Sequence, residues 1–206
     1  MSGVAIVVGG SSSVKEEYAT ARHLCAGARI GYQALVVNDM IPEFEDYIDH
    51  AVTLHPVKLK RDPPHWLRSR AERGLPPPGD VWCHRDDHKD VVTRVVKDHW
   101  SGSSGLFAVK IALYELGCDR VILCGVPMTE AGKHFNSERP WKACPMFARY
   151  WNAHIAELGP YVRSFSGWTR EILGPVTLDF LLQHRNGSAL PVAARVAPGA
   201  AAGLQP

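Results

Sequence analysis

Long apolar runs, a usable set of paired cysteines and charge of one sign are all missing from this 206-residue chain. The first apolar stretch, residues 4–8, meets Gly9-Gly10 at once, too short for a membrane span or a signal peptide; no membrane association is expected. Five cysteines is an odd number, and no spacing among them makes a disulfide framework. Cys25, Cys118 and Cys124 fall in apolar surroundings, where cysteine serves as a small buried hydrophobe, so a reducing, cytoplasmic setting is expected. A formal net charge of +2 with no strongly basic face does not mark a nucleic-acid binder. No internal repeat is visible.

What is present is a pair of glycine/serine loops, each tied to apolar segments. Residues 4–8 form a β-branched run that ends in Gly9-Gly-Ser-Ser-Ser13, and Ser101-Gly-Ser-Ser-Gly105 opens a helical pattern that turns into the apolar run before Gly125. Small residues let backbone N–H groups approach a ligand, and a helix starting after them favours an anion. The first loop lacks the full G-x-G-x-x-G and the second lacks Gly-Lys-Ser/Thr, which argues against a standard NAD fold and against P-loop hydrolysis. Two such loops after apolar strands point to a nucleotide-type ligand at one edge of a parallel sheet.

The remaining pattern predicts strands at 34–37, 51–54, 81–83, 91–96 and 161–164, and helices at 14–25, 44–48, 64–72 and 145–158, with a turn or short helix at 169–174. Ser12 or Ser13 would cap the first helix, whose first turn carries Glu16 and Glu17. Strand and helix alternate, so the expected fold class is α/β, a Rossmann-like three-layer sandwich with a mostly parallel sheet. Residues 1–183 would form a single nucleotide-binding domain. From residue 187 onward Ala, Pro and Gly dominate, and 184–206 is expected to be a flexible tail.

Several residues beyond the two loops sit where strand ends place ligands. Asn38-Asp39 closes one predicted strand; either a ligand contact or a plain turn explains it. His55 precedes Pro56 at another strand end, and His84-Arg85 follows a third, where both could meet phosphate. The run Cys83-His-Arg-Asp-Asp-His88 contains zinc- or manganese-type ligands, but it follows a strand, and a solvated loop accounts for it; no metal site is expected there. His134 lies in a polar loop with Lys133, Asn136 and Arg139, neighbours suited to a phosphate or carboxylate. Trp141, Tyr150 and Trp151 border that loop; Tyr150 and Trp151 are expected to pack a helix on the sheet. Ser164 and Ser166 precede Gly167-Trp168 in a segment that reads equally as a turn.

The order of these pieces, with "LGCDRVILCGV" after the second loop and "VRSFSGWTREILGPVTLDFL" near the end, resembles a Rossmann-like superfamily. It includes the bacterial sialyltransferases and the 6-hydroxymethylpterin pyrophosphokinase-like proteins, many of them unassigned bacterial or phage proteins. The resemblance covers roughly the first 180 residues and implies the fold more specifically than the reaction. It implies one phosphate and ribose cradle from Gly9, Gly10, Ser11 and Ser12, and a second from Ser101, Gly102, Ser103 and Gly105; Ser104, in the same loop, is a further candidate ligand contact. It implies a nucleotide contact at Asn38 and a general base at His134. Relatives usually end the strand after the second loop with Gly-hydrophobic-Asp, whereas Gly125-Val-Pro127 lacks the acid. The leading expectation is a glycosyltransferase-like transferase using a nucleotide or nucleotide-sugar donor, with no cofactor. Its acceptor, small molecule or polymer, and its state of homo-oligomerisation are left open. The alternatives are an ATP- and Mg-dependent pyrophosphokinase using Asp39, Asp86 and Asp87, and a binding protein without turnover.

Overall fold

Helices on both faces of one parallel sheet follow from central strands that carry apolar residues on both faces. The computed structural model describes residues 3–100, 102–129, 133–135 and 144–183. Its strands are β1 (Val4–Val8), β2 (Tyr32–Val37), β3 (His50–Val52), β4 (Asp80–Cys83), β5 (Arg94–Val95), β6 (Arg120–Cys124) and β7 (Val162–Ser164). All pair in parallel, in the order β5-β4-β3-β2-β1-β6-β7. β1 is central, with Val4 opposite Tyr32 on one side and Arg120 on the other. Val4, Ile6 and Val8 enter a core shared with Val14, Tyr18, Ala21 and Cys25 of helix α1 (Val14–Gly27). Ala5 and Val7 enter a second core on the opposite face, with Leu106, Phe107 and Val109 of α5 (Ser104–Lys110). Burial on both faces is why β1 and β6 read as continuous apolar runs rather than alternating ones. The fold is therefore α/β and Rossmann-like. No helix among the described residues is long and apolar enough to cross a membrane.

The other helices are α2 (Met40–Glu43), α3 (Val57–Lys60), α4 (Trp66–Glu72), α6 (Cys144–Leu158), α7 (Gly167–Leu173) and α8 (Leu178–Leu182). α5 widens at its end into a π-helical turn over Ile111–Glu115, closed by Leu116 N–H donating to the Ile111 carbonyl at 2.9 Å. Three expected elements differ. The helix expected at 44–48 lies instead at Met40–Glu43, because the buried Phe44 and Ile48 belong to a non-helical segment running down to β3. The strand expected over 91–96 shortens to Arg94–Val95, an exposed sheet edge. The strand expected at 51–54 starts and ends earlier, at His50–Val52.

The long crossover from β3 to β4 is held by one buried cation. Arg70, 1% exposed, donates to the carbonyls of Pro76, Ile41, Phe44 and Asp46. Burial pulls its pKa below the ordinary guanidinium value, with Arg73 adding to the effect. Five cysteines are free and buried, as the composition implied for three of them.

Candidate functional site

In this strand order the chain leaves β1 toward β2 on one face and reaches β6 from the other, so the loops after β1 and β6 diverge above a crevice. A cavity of about 550 Å³ opens there. Gly9, Gly10 and Ser11 line it from β1; Asn38, Asp39 and His55 from β2 and β3; Gly102 to Gly105 from the approach to α5. Val126, Met128 and Phe147 supply apolar wall, and Lys133 and His134 complete it.

The two central loops touch so closely that side chains are excluded. A Cβ on Gly9 would lie 2.5 Å from the Gly125 carbonyl oxygen and 2.7 Å from Val126 Cγ2. Gly125, at φ +69°, would in turn drive a Cβ into Val14 at 2.7 Å. The contact is stitched by Gly9 N–H to the Cys124 carbonyl at 2.8 Å and Ser11 N–H to the Gly125 carbonyl at 3.1 Å. Residues 133–135 then lie antiparallel across the first loop. Ser12 N–H donates to the Lys133 carbonyl at 2.9 Å, and Phe135 N–H to the Gly10 carbonyl at 2.9 Å. Below the crossing, the buried Glu17 carboxylate takes Gly125 N–H at 2.6 Å and the Ser13 hydroxyl at 2.6 Å.

The second loop has the opposite backbone chemistry. Ser103 caps α5, its Oγ accepting from Leu106 N–H and from Trp151 Nε1 at 3.1 Å each. Ser104 Oγ accepts from Leu54 N–H at 3.1 Å and ties α5 to the end of β3. The backbone N–H groups of Gly102, Ser103, Ser104 and Gly105 make no hydrogen bond to the described residues, and all four residues line the cavity. Unpaired amides at a helix start attract negative charge. The preceding segment is fixed by Lys110, which donates to the Asp98 carbonyl and carboxylate at 2.6 Å each, and by Trp100 stacked 4.1 Å from His154.

On the β2 side, Asn38 sits at φ +51°, and its Oδ1 accepts from the Thr53 hydroxyl at 2.8 Å, leaving the amide nitrogen to donate. Next to it, Asp39 takes the Trp66 indole N–H at 2.8 Å through one oxygen and reaches His134 Nε2 at 3.8 Å with the other. The His134 ring rests over Gly10, where a Cβ would lie 2.9 Å from Cδ2. Partial burial holds the His55 imidazole below its ordinary pKa, and Lys58 reinforces this.

The expected site residues divide as follows. Gly9, Gly10, Ser11, Asn38, Asp39, Gly102, Ser103, Ser104, Gly105, Lys133 and His134 come together in one lining, joined by His55. Ser12 is exposed and stays outside it. His84 and Arg85 also lie outside: Arg85 pairs with Asp87, and the His84 ring packs 4.8 Å from His99. Asp86 pairs with Lys97 at 3.9 Å, so neither Asp86 nor Asp87 joins Asp39. Among the described residues no three His, Cys, Asp or Glu side chains could share a metal ion. Ser164 and Thr169 share a 2.8 Å hydrogen bond, and the Thr169 hydroxyl braces the Val126 carbonyl from behind. Trp151 packs in the core as expected, whereas Tyr150 is exposed and lies against Gly102. Ser101, Asn136, Arg139, Trp141 and the expected tail lie outside the described residues. The residue patterns passed over Trp66, Thr53 and Phe147. Glu17, four residues after Ser13, did carry a signal, since that spacing puts both on one helix face.

No protein-family model, curated protein or solved structure matches this chain.

Proposed function

We propose that the protein binds a nucleotide or nucleotide-sugar in this cavity and acts as a glycosyltransferase-like transferase. The observation that supports the reading is that Gly102 to Gly105, whose amides have no partner among the described residues, line the cavity at the switch point of a parallel sheet. These amides would take the phosphate and stabilise it as it leaves. Lys133 would add positive charge. His134 would accept the proton of an acceptor hydroxyl as that oxygen attacks the donor sugar, and the Asp39 carboxylate beside it would stabilise the imidazolium so formed. The chemistry calls for no metal, and the acids a pyrophosphokinase would need are dispersed.

A thermal-shift series with nucleotides and nucleotide sugars tests the reading. A ligand at one hundred times its dissociation constant should stabilise by about 2.7 kcal/mol. The absence of any shift across the series would remove the proposal. Because Asp39 is the one carboxylate in the lining among the described residues, a binding protein without turnover is the second reading. It predicts that bound ligand is recovered intact after incubation with hydroxylated acceptors; product formation excludes it.

A further inference from the structure

The first glycine/serine loop looks like a second phosphate cradle, but its protons point the other way. Of its amides, Gly9, Ser11, Ser12 and Val14 donate to protein carbonyls, and Ser13 N–H points at Ser11 Oγ from 3.5 Å. Only Gly10 N–H in this loop lacks a partner among the described residues. The hydroxyls are equally constrained. A carboxylate only accepts, so the single Ser13 proton goes to Glu17 Oε1 at 2.6 Å. Ser13 Oγ lies 3.1 Å from Ser11 Oγ, and with its own proton committed it must accept there. Ser11 therefore donates inward along the chain Ser11 to Ser13 to Glu17, and the Oγ of this cavity-lining residue is left with acceptor capacity only. Each bond in such a chain polarises the next, which fixes the direction.

We infer that Ser11 Oγ is a hydrogen-bond acceptor reserved for a sugar hydroxyl of the ligand, and that the β1 loop does not bind phosphate. A phosphate oxygen would meet lone pair against lone pair at Ser11. The inference rests on the nucleotide reading above and gives it an orientation. The anionic group lies at the Gly102 to Gly105 amides, and a hydroxylated sugar carbon faces Ser11. Glu17, buried and remote from the ligand, acts as a positioning residue that sets the direction of the Ser11 proton.

Calorimetry with the full chain tests this, using ribonucleoside mono- and diphosphates, their 2′- and 3′-deoxy forms, nucleotide sugars, and inorganic pyrophosphate. Ser11→Ala should weaken the best-bound hydroxylated ligand about tenfold, the value of one ordinary hydrogen bond, and leave pyrophosphate binding unchanged. Sensitivity to Ser11→Ala that disappears in a deoxyribose analogue assigns the hydroxyl to the ribose. Sensitivity that disappears on going from nucleotide sugar to nucleoside diphosphate assigns it to the donor sugar. Glu17→Gln gives the sharper outcome. A glutamine can accept Gly125 N–H through oxygen and donate to Ser13 through nitrogen, which reverses the chain and turns the Ser11 proton into the cavity. That variant should bind pyrophosphate more tightly than wild type and the hydroxylated ligand more weakly. Equal loss of both ligand types in Ser11→Ala, or persistence of the Ser11 effect in every deoxy and sugar-free analogue, overturns the inference while leaving the nucleotide reading intact. Binding of no probe to wild type overturns both.

Discussion

Gly9 and Gly10 are adjacent, yet the same substitution should be costly at the first and mild at the second. At Gly9 an alanine Cβ would strike the backbone of Gly125, which is pinned by Glu17, so the β1–β6 loop contact must open. Gly9→Ala is expected to cost about 3 kcal/mol, the range of severe overpacking, read as a lower urea midpoint. At Gly10 the obstacle is the imidazole of His134, a side chain able to rotate away. Gly10→Ala should keep the wild-type unfolding midpoint within about 1 kcal/mol. It should also raise the rate at which diethylpyrocarbonate modifies His134, followed by peptide mass spectrometry; unchanged modification would mean that the ring does not rest on Gly10. Neither effect is legible in "VVGGSSS", because the obstructing atoms come from residues more than a hundred positions away. The same distance explains why the first loop reads as an anion cradle. Its glycines and serines are the right residue types, yet their amides are engaged by Cys124, Gly125 and Lys133.

Elements that the sequence made legible are those whose pattern is local. β1 and α6 stand close to their expected bounds, and β6 falls in the apolar run before Gly125, since apolar runs and helical spacing survive whatever packs against them. In the crossover between β3 and β4, rich in Arg, Pro and Lys, the helix expected at 64–72 stands as α4, but what holds the rest of the segment was not legible. It is organised instead by Arg70, whose four carbonyl acceptors come from α2, its exit and the proline segment. Replacing that guanidinium by an apolar side chain strands several buried acceptors at once. Arg70→Leu is expected to destabilise by about 3–5 kcal/mol, measured by urea denaturation, well beyond an ordinary surface arginine. Arg68→Leu in the same helix, on an exposed ion pair, should change stability by about 0.5 kcal/mol or less and serves as the control. A similar cost for both would mean that the helix, not the buried cation, organises the segment. At the site, α5 was legible as a helix following the Ser101–Gly105 loop, although it starts within that loop at Ser104, whereas the meeting of Asp39 with His134 depends on the strand order and on residues 133–135 crossing the first loop.

For the whole molecule, buried histidines set the acid limb of stability. Trp82 Nε1 donates to His50 Nδ1 at 3.1 Å, which requires that nitrogen unprotonated. Burial holds the His50 pKa below its ordinary 6.5, Arg94 adding and Asp49 and Asp80 opposing. Burial lowers His84 in the same way, with His99 next in effect. A histidine with a depressed folded-state pKa binds fewer protons than the unfolded chain, so stability present at neutral pH is lost as pH falls below about 6.5. The slope for His50 should approach at most ~1.4 kcal/mol per pH unit until it protonates in the folded state too. Urea midpoints across this range should fall for wild type and fall less for His50→Gln; parallel curves would exonerate His50.

The central place of β1 in the sheet also bears on how the chain is made. Val4–Val8 leaves the ribosome before both of its neighbours and finds β2 soon afterwards, but its other neighbour is Arg120–Cys124. At about 5–20 residues per second, the roughly 80 residues between β2 and β6 take several seconds to translate. For that interval the most apolar strand of the protein offers an open hydrogen-bonding flank, a template for pairing with another nascent chain. Yield in the cell should therefore depend on translation speed and on holding chaperones more than the folded protein's own stability would imply.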